Sequence, residues 1–270
     1  MMADDFLKRV AQYIKGRDLL KPTDKCLVGL SGGADSVALL IALVRLGYDV
    51  EAVHCNFQLR GNEALNDELF AVRLCEKLDV TIHRVHFDTR EYAELHKVSI
   101  EMAARELRYD YFQKLAHDIG ATAVCVAHHR DDSVETVLLN LFRGTGINGL
   151  TGIAAKNNNI IRPLLCVSKA DILDFLNLLK QSYVTDSSNL KDDVRRNKVR
   201  LNLIPIIKDI NPAAQECIER TARRLESVAK IYNDTVNKAA SEVCVTTESD
   251  GVTIDINKLL GFDYCEDVIW

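Results

Sequence analysis

At 270 residues, with 47% hydrophobic and 27% charged side chains, the chain suits one good core plus a second, smaller module. No apolar run is long enough to span a bilayer by a helix and no basic start leads into an apolar leader, so the expected compartment is the cytoplasm. A net charge of −5 argues against a nucleic-acid binder driven by overall charge, and eight cysteines without a C-x-x-C pair argue against a zinc ribbon, a redox dithiol or a cysteine-clipped cluster.

The first strand is the short apolar run Cys26–Leu30. Ser31-Gly32-Gly33 stops it, and the periodic apolar run Ser36–Leu46 reads as a helix. A strand, a glycine turn and a helix N-terminus make an anion site, because the first N–H groups of the helix lack partners and glycine lets the backbone approach closely. Ser31 and Ser36 add hydroxyls. Asp35 puts a carboxylate where a bare anion hole would not want one, unless a divalent cation accompanies a phosphate. The loop therefore points to a metal–nucleotide complex, although neither G-x-x-x-x-G-K-[ST] nor G-x-G-x-x-G is present. The bland reading is a Ser/Gly turn with Asp35 and Ser36 as N-cap residues.

Further strands are read at Val50–Cys55, Thr81–His86 and Ala123–Ala127, with a short fifth at Ile160–Pro163. Helices alternate with them at Glu63–Leu78, Ser99–Ile119 and Asp132–Phe142. Continuous apolar strands joined by helices predict an α/β fold, a five-stranded parallel sheet sandwiched by helices. Cys26, Cys55 and Cys125 fall in these strands and read as small buried hydrophobes of a reducing compartment. Ligands of such sheets sit beyond the carboxyl ends of the strands. Those ends carry the Ser-Gly-Gly loop, then His54-Cys-Asn-Phe-Gln-Leu-Arg60-Gly61, then His128-His129-Arg130-Asp131-Asp132, which predicts a single site.

The glycine-rich stretch from Arg143 to Gly152 reads as a substrate loop. Ser168 is the expected N-cap of a helix to about Lys180, and Asp186-Ser-Ser-Asn189 is a polar loop. Lys191 to Arg200 forms a local basic run, and Arg220, Arg223 and Arg224 cluster on a long helix from Asn211-Pro212 to about Ala240. A hairpin, Glu242–Thr247 with Gly251–Ile256, follows. These features divide the chain into 1–212 and a small, mostly helical appendage, 213–270, whose apolar end at Trp270 leads us to expect a further domain.

Ser31-Gly-Gly-Ala-Asp-Ser36 resembles the SGGxDS loop of the N-type ATP pyrophosphatases, which cleave ATP between its α and β phosphates and adenylate a carbonyl oxygen. With Ala104-Arg105-Glu-Leu-Arg108-Tyr109, His128-His129-Arg-Asp131-Asp132-Ser-Val-Glu135-Thr136, Leu139-Asn140-Leu-Phe-Arg143-Gly-Thr-Gly146, Arg162-Pro-Leu-Leu165, Asp186-Ser-Ser-Asn189 and Arg196-Asn197-x-x-Arg200, the ordered set resembles the tRNA(Ile)-lysidine synthetases from about residue 25 to about residue 212. Phe57-Gln58 departs from it, standing where many members carry histidine.

The resemblance implies an adenine nucleotide alpha hydrolase-like fold and a two-step ligation. ATP adenylates O2 of the wobble cytidine in a CAU anticodon, and free L-lysine then displaces AMP at C2. It implies ATP contacts from Ser31, Gly32, Gly33, Ala34, Asp35 and Ser36, and Mg²⁺ on Asp35 and Asp132, with Asp131 beside them. Asp132 reads equally as a helix N-cap. His129 is a candidate for the α-phosphate or simply finishes its strand. Glu135 is a candidate for a cation or the lysine ammonium. Arg105 and Arg108, three apart on one helix face, suit phosphate or anticodon contacts, with a Glu101–Arg105 pair as the plain alternative. Arg143, Asn189, Arg196 and Arg200 are candidates for tRNA or lysine, with a cap interaction of the arginines on Asp186 or Asn189 as the alternative. No membrane partner is expected, and a homodimer is compatible with the sequence.

Overall fold

The computed structural model describes residues 3–185, 195–248 and 251–269. By internal contacts the chain divides into one unit of 1–135 with 153–206 and another of 136–152 with 207–270. The sequence boundary after residue 212 thus runs differently, because the Arg143–Gly152 region groups with the C-terminal unit.

The first unit is built on β1 (Lys25–Gly29), β2 (Asp49–Asn56), β3 (Ile82–His86), β4 (Ala123–Cys125), β5 (Lys156–Asn157) and β6 (Ile160–Ile161), in the order β3-β2-β1-β4-β6-β5. Five of these strands are parallel, as expected. The expectation of five strands is corrected by β5, a two-residue antiparallel edge strand paired to β6. The sheet is covered on both faces because its side chains alternate. Cys26, Val28, Ala52 and Cys125 point into the larger core, while Leu27, Val53 and Val124 point to the opposite face.

Helix α1 (Ala3–Gly16), unforeseen in the sequence reading, puts Phe6, Val10 and Ile14 into the larger core, with Phe6 stacked on Phe175 at 4.2 Å. The same core takes α2 (Ala34–Arg45) and the apolar stripe of α3 (Asn62–Leu78). Helix α4 (Thr89–His96) is a second unforeseen element. On the other face lies α5 (Ile100–Asp118), packed through Phe112, Leu115 and Ala116. Helix α6 (Arg130–Arg143) follows β4, and α7 (Lys169–Leu178) starts from a Ser168–Asp171 capping box. A short helix α8 (Arg195–Lys198), a π-turn over Val199–Leu203 and α9 (Ile204–Ile210) follow. Cys26 and Cys125 are fully buried and Cys55 partly so, and no disulfide joins the eight cysteines.

The second unit is organised by the 30-residue helix α10 (Ala214–Val243). A 3-10 turn at Ile147–Thr151 packs on it through paired amide hydrogen bonds between Asn148 and Asn233 at 3.1 and 2.9 Å. Strands β7 (Cys244–Glu248) and β8 (Gly251–Ile254) form the expected hairpin.

Candidate active site

The loop after β1 is shaped by its own hydroxyls. Ser36 Oγ donates to Gly33 O at 3.0 Å and accepts the Ser31 amide at 3.2 Å, and the two serine oxygens lie 3.1 Å apart. Gly32 has φ +90, a conformation that only glycine adopts without strain. The N-cap of α2 is Gly33, which offers no side-chain cap. That removes the bland reading of Asp35 and Ser36 as caps and leaves the first-turn amides of α2 facing the loop opening, beside the positive end of the helix dipole. The Val184 amide donates to Gly32 O at 2.9 Å and pins the loop from outside.

Asp35, in the first turn of α2, accepts a 2.6 Å hydrogen bond from Lys169 Nζ. Lys169 is the first residue of α7, and its backbone amide donates to Asp131 Oδ2 at 2.9 Å. Asp131 therefore joins the starts of α6 and α7, while Asp132 turns toward the loop. Helix α6 starts at Arg130, so Asp132 is its third residue rather than its N-cap; its Oδ2 reaches back to accept the His129 amide at 3.0 Å, and Oδ1 meets Arg200 at 3.2 Å. The His129 ring is buried between the two acids, its Nε2 lying 3.8 Å from Asp35 and 3.5 Å from Asp132. Its Nδ1 is buried without a hydrogen-bond partner, an unusual condition for a polar atom.

One turn along α6, Glu135 is 1% exposed and receives both Nε and Nη2 of Arg200, at 2.6 and 3.0 Å. Burial pushes the Glu135 carboxyl above its usual range, with Asp132 adding to the rise and the Arg200 fork pulling against it. Burial would lower the Arg200 pKa, but the fork on Glu135, with Asp132 and Asp35 adding their field, raises it. Arg196, one turn before Arg200, approaches Glu135 at 3.6 Å. Asp35, His129, Asp132, Glu135, Arg196 and Arg200 thus form one connected group at the loop. The alternative partners of the two arginines, Asp186 and Asn189, lie outside the described residues, as does Asn189 as a site candidate.

Arg105 and Arg108 lie over the rings of Tyr109 and Phe57, each at 5.0 Å. The plain alternative, a Glu101–Arg105 pair, is not among the ion pairs of the described residues. Arg143 falls in the second unit and is exposed. Three residues without a role in the sequence reading also reach this edge. Lys169 is one. Arg162, just after β6, is 8% exposed and donates from Nε to His128 Nδ1 at 3.3 Å and from Nη1 to Ala154 O at 2.7 Å. Since a guanidinium only donates, His128 accepts on Nδ1. Burial pushes its pKa down to about 4, with Asp132 pulling against it and the arginines around it acting in the same sense as burial.

Residues 2–207 match the family model of the PP-loop domain. The chain is 50% identical over 248 residues to the tRNA(Ile)-lysidine synthase of Bacteroides thetaiotaomicron, covering 92% of this chain and 58% of that protein. It is 34% identical over 246 residues to the enzyme of the same name from Petrotoga mobilis, covering 90% of this chain and 78% of that one. The chain belongs to the tRNA(Ile)-lysidine synthase family. Among solved structures, the U34-tRNA thiolase NcsA from Methanococcus maripaludis, described with its [4Fe-4S] cluster, superposes with TM-score 0.68 at 21% identity, over 83% of this chain and 79% of that one. That likeness concerns the fold. No described helix is long and apolar enough to cross a membrane.

Proposed function

We propose that this chain carries the chemistry that joins L-lysine to the wobble cytidine of a tRNA(Ile) with a CAU anticodon, at the expense of ATP. One observation supports this most directly. Three carboxylates, Asp35, Asp132 and Glu135, stand at the mouth of an uncapped helix N-terminus, and each is held by a cationic side chain. A site prepared for a polyanion and for substrate cations has this composition.

In the first step, cytosine O2 attacks the α-phosphorus of ATP, the bond to the β-phosphate oxygen breaks, and pyrophosphate leaves. In the second, the lysine ε-nitrogen bonds to C2, the C2–O2 bond breaks, and AMP departs with O2. The amine, whose ordinary pKa is about 10.4, gives up its protons on the way. C2 of cytosine is a poor electrophile, and the phosphate ester supplies the leaving group it lacks.

The loop amides and hydroxyls of Ser31 to Ser36 hold the phosphates. Asp35 and Asp132 suit Mg²⁺, a hard ion that takes one or two carboxylates and completes its shell with water and substrate phosphates. When bound, the ion neutralises charge on the departing pyrophosphate. Lys169 then turns from Asp35 to a phosphate oxygen. Glu135 would receive the α-ammonium group of lysine where Arg200 now sits, and Arg105 and Arg108 would face the RNA.

Sulfur insertion on the same fold is the rival reading. It is disfavoured because the sequence has no C-x-x-C pair and Cys26, Cys75 and Cys125 are buried in the core. Incubation with ATP, labelled lysine and a tRNA(Ile) transcript tests the proposal. Lysine entering RNA with matching AMP release is expected, and AMP release without lysine uptake would end it.

A further inference from the structure

Arg162 is a buried cation of unusual surroundings. Its neighbours are a neutral imidazole, a backbone carbonyl and the Tyr109 hydroxyl, and among the described residues no carboxylate pairs with it. Leaving a guanidinium buried without a counter-charge is unfavourable unless an anion completes the site. Desolvation and the nearby Arg105 both press its pKa downward, in the sense expected of an uncompensated cluster. Arg105 is exposed, lies over Tyr109 at 5.0 Å, and likewise has no acidic partner among the described residues. The cluster therefore lacks one negative charge.

Its place in the sheet says which one. The strand order puts β4 between β1, which carries the nucleotide loop, and β6, which ends at Arg162. The cluster sits on the side of His128 away from β1, and Arg105 reaches it from α5. Asp35 and Lys169 define the nucleotide end of the edge, so the anion belongs to the other substrate.

We propose that Arg162, with Arg105 and the proton on His128 Nε2, forms a subsite for one backbone phosphate of the substrate RNA, next to the nucleotide that is modified. Arg162 supplies its remaining guanidinium N–H, and His128, fixed as the Nε2–H tautomer by the hydrogen bond from Arg162, adds a neutral donor. Tyr109 holds both arginines through one ring and one hydroxyl. Here the Arg162-Pro-Leu-Leu165 motif acquires a role: the residue before the proline is kept out of the helical region, at φ −132 and ψ 79, where the chain leaves β6.

The inference rests on the RNA-modifying reading and is tested beside it. Binding of an anticodon stem-loop RNA is measured over a range of salt for the wild-type chain, Arg162→Gln, Arg162→Lys and Arg105→Gln, together with the KM for RNA and for ATP. Removing one phosphate contact is expected to weaken RNA binding about tenfold and to reduce the log–log salt slope by about 0.7 to 0.9. Arg162→Lys is expected to recover the slope and only part of the affinity, because the fork is lost. Arg105→Gln, at an exposed position, is expected to lower the slope without lowering the unfolding temperature, which separates binding from a folding defect. Unchanged slopes in both Gln variants would overturn the subsite, as would a raised KM for ATP with RNA binding intact, which would assign the anion to pyrophosphate. A wild-type chain that binds RNA with the Arg162-dependent slope yet incorporates no lysine would retire the ligase reading and leave the subsite standing. A wild-type chain that binds no RNA overturns both.

Discussion

Lys169 Nζ rests 2.6 Å from Asp35 Oδ1 although the two residues are 134 positions apart. The pair fills the mouth of the phosphate loop with a cation, where the proposed reaction brings another. On the proposed reading a metal would compete with the Lys169 ammonium for one carboxylate oxygen, and Lys169 would become free for phosphate once Asp35 is taken.

Replacing Lys169 with alanine is therefore expected to leave stability almost unchanged, since the side chains are 41% and 33% exposed and such pairs contribute about 0 to 1 kcal/mol. The KM for ATP should rise about tenfold, the size of one charge-assisted contact of roughly 1.4 kcal/mol. Thermal melts and initial rates check both halves. A variant with normal ATP dependence would remove Lys169 from the nucleotide site.

Asp35→Asn keeps the shape of the side chain and removes its charge. Adenylation is expected to fall by about a thousandfold, the range that follows loss of a principal charge-stabilising group. Circular dichroism and the melting temperature should stay close to those of the wild type. Pyrophosphate release at a normal rate would refute a metal role for this residue.

Glu135 is nearly inaccessible, and Arg200 is its two-point partner. Arg200→Met strands a buried carboxylate and is expected to cost about 3 kcal/mol, the low end for a broken buried pair because Arg200 itself is 37% exposed. Adding Glu135→Gln should restore most of that loss without restoring turnover. Urea unfolding of the two variants measures the recovery. Strictly additive losses would show that the pair is not coupled.

His128 predicts a pH dependence. Its folded pKa, about 4, lies below the unfolded value of 6.5, so the unfolded chain binds more protons between them. Stability is then full above about pH 6.5 and declines as pH falls toward 4, by at most about 1.4 kcal/mol per unit. His54, also buried and held low by desolvation, acts in the same direction, so the difference between the wild type and His128→Asn isolates one residue. Parallel stability curves for the two would contradict the neutral ring.

The sheet was legible because its strands are apolar on both faces, as Cys26, Leu27 and Val28 illustrate, and the loop because its chemistry is contiguous. Helix α1 also carried a signal, Phe6, Val10 and Ile14 at successive turns, that the sequence reading passed over. Strand β5, at two residues, has no period to detect. Asp35, Asp132, Glu135 and Arg200 were named as separate candidates, but a sequence does not show that Arg200 forks onto a carboxylate 65 positions away. Lys169 was overlooked, and Arg162 and His128, though present in the motifs, were given no role of their own, for a related reason. Each gains its significance from a partner in another crossover, and each alone looks like an ordinary helix start or strand end.

The Val184 amide, bonded to Gly32 O, gives the nucleotide loop an anchor that contains no side chain. Sequence drift at position 184 leaves that anchor in place so long as the peptide keeps its hydrogen, and only an imino acid removes it. The width of the opening is thereby written into the main chain, beyond the reach of every substitution but proline.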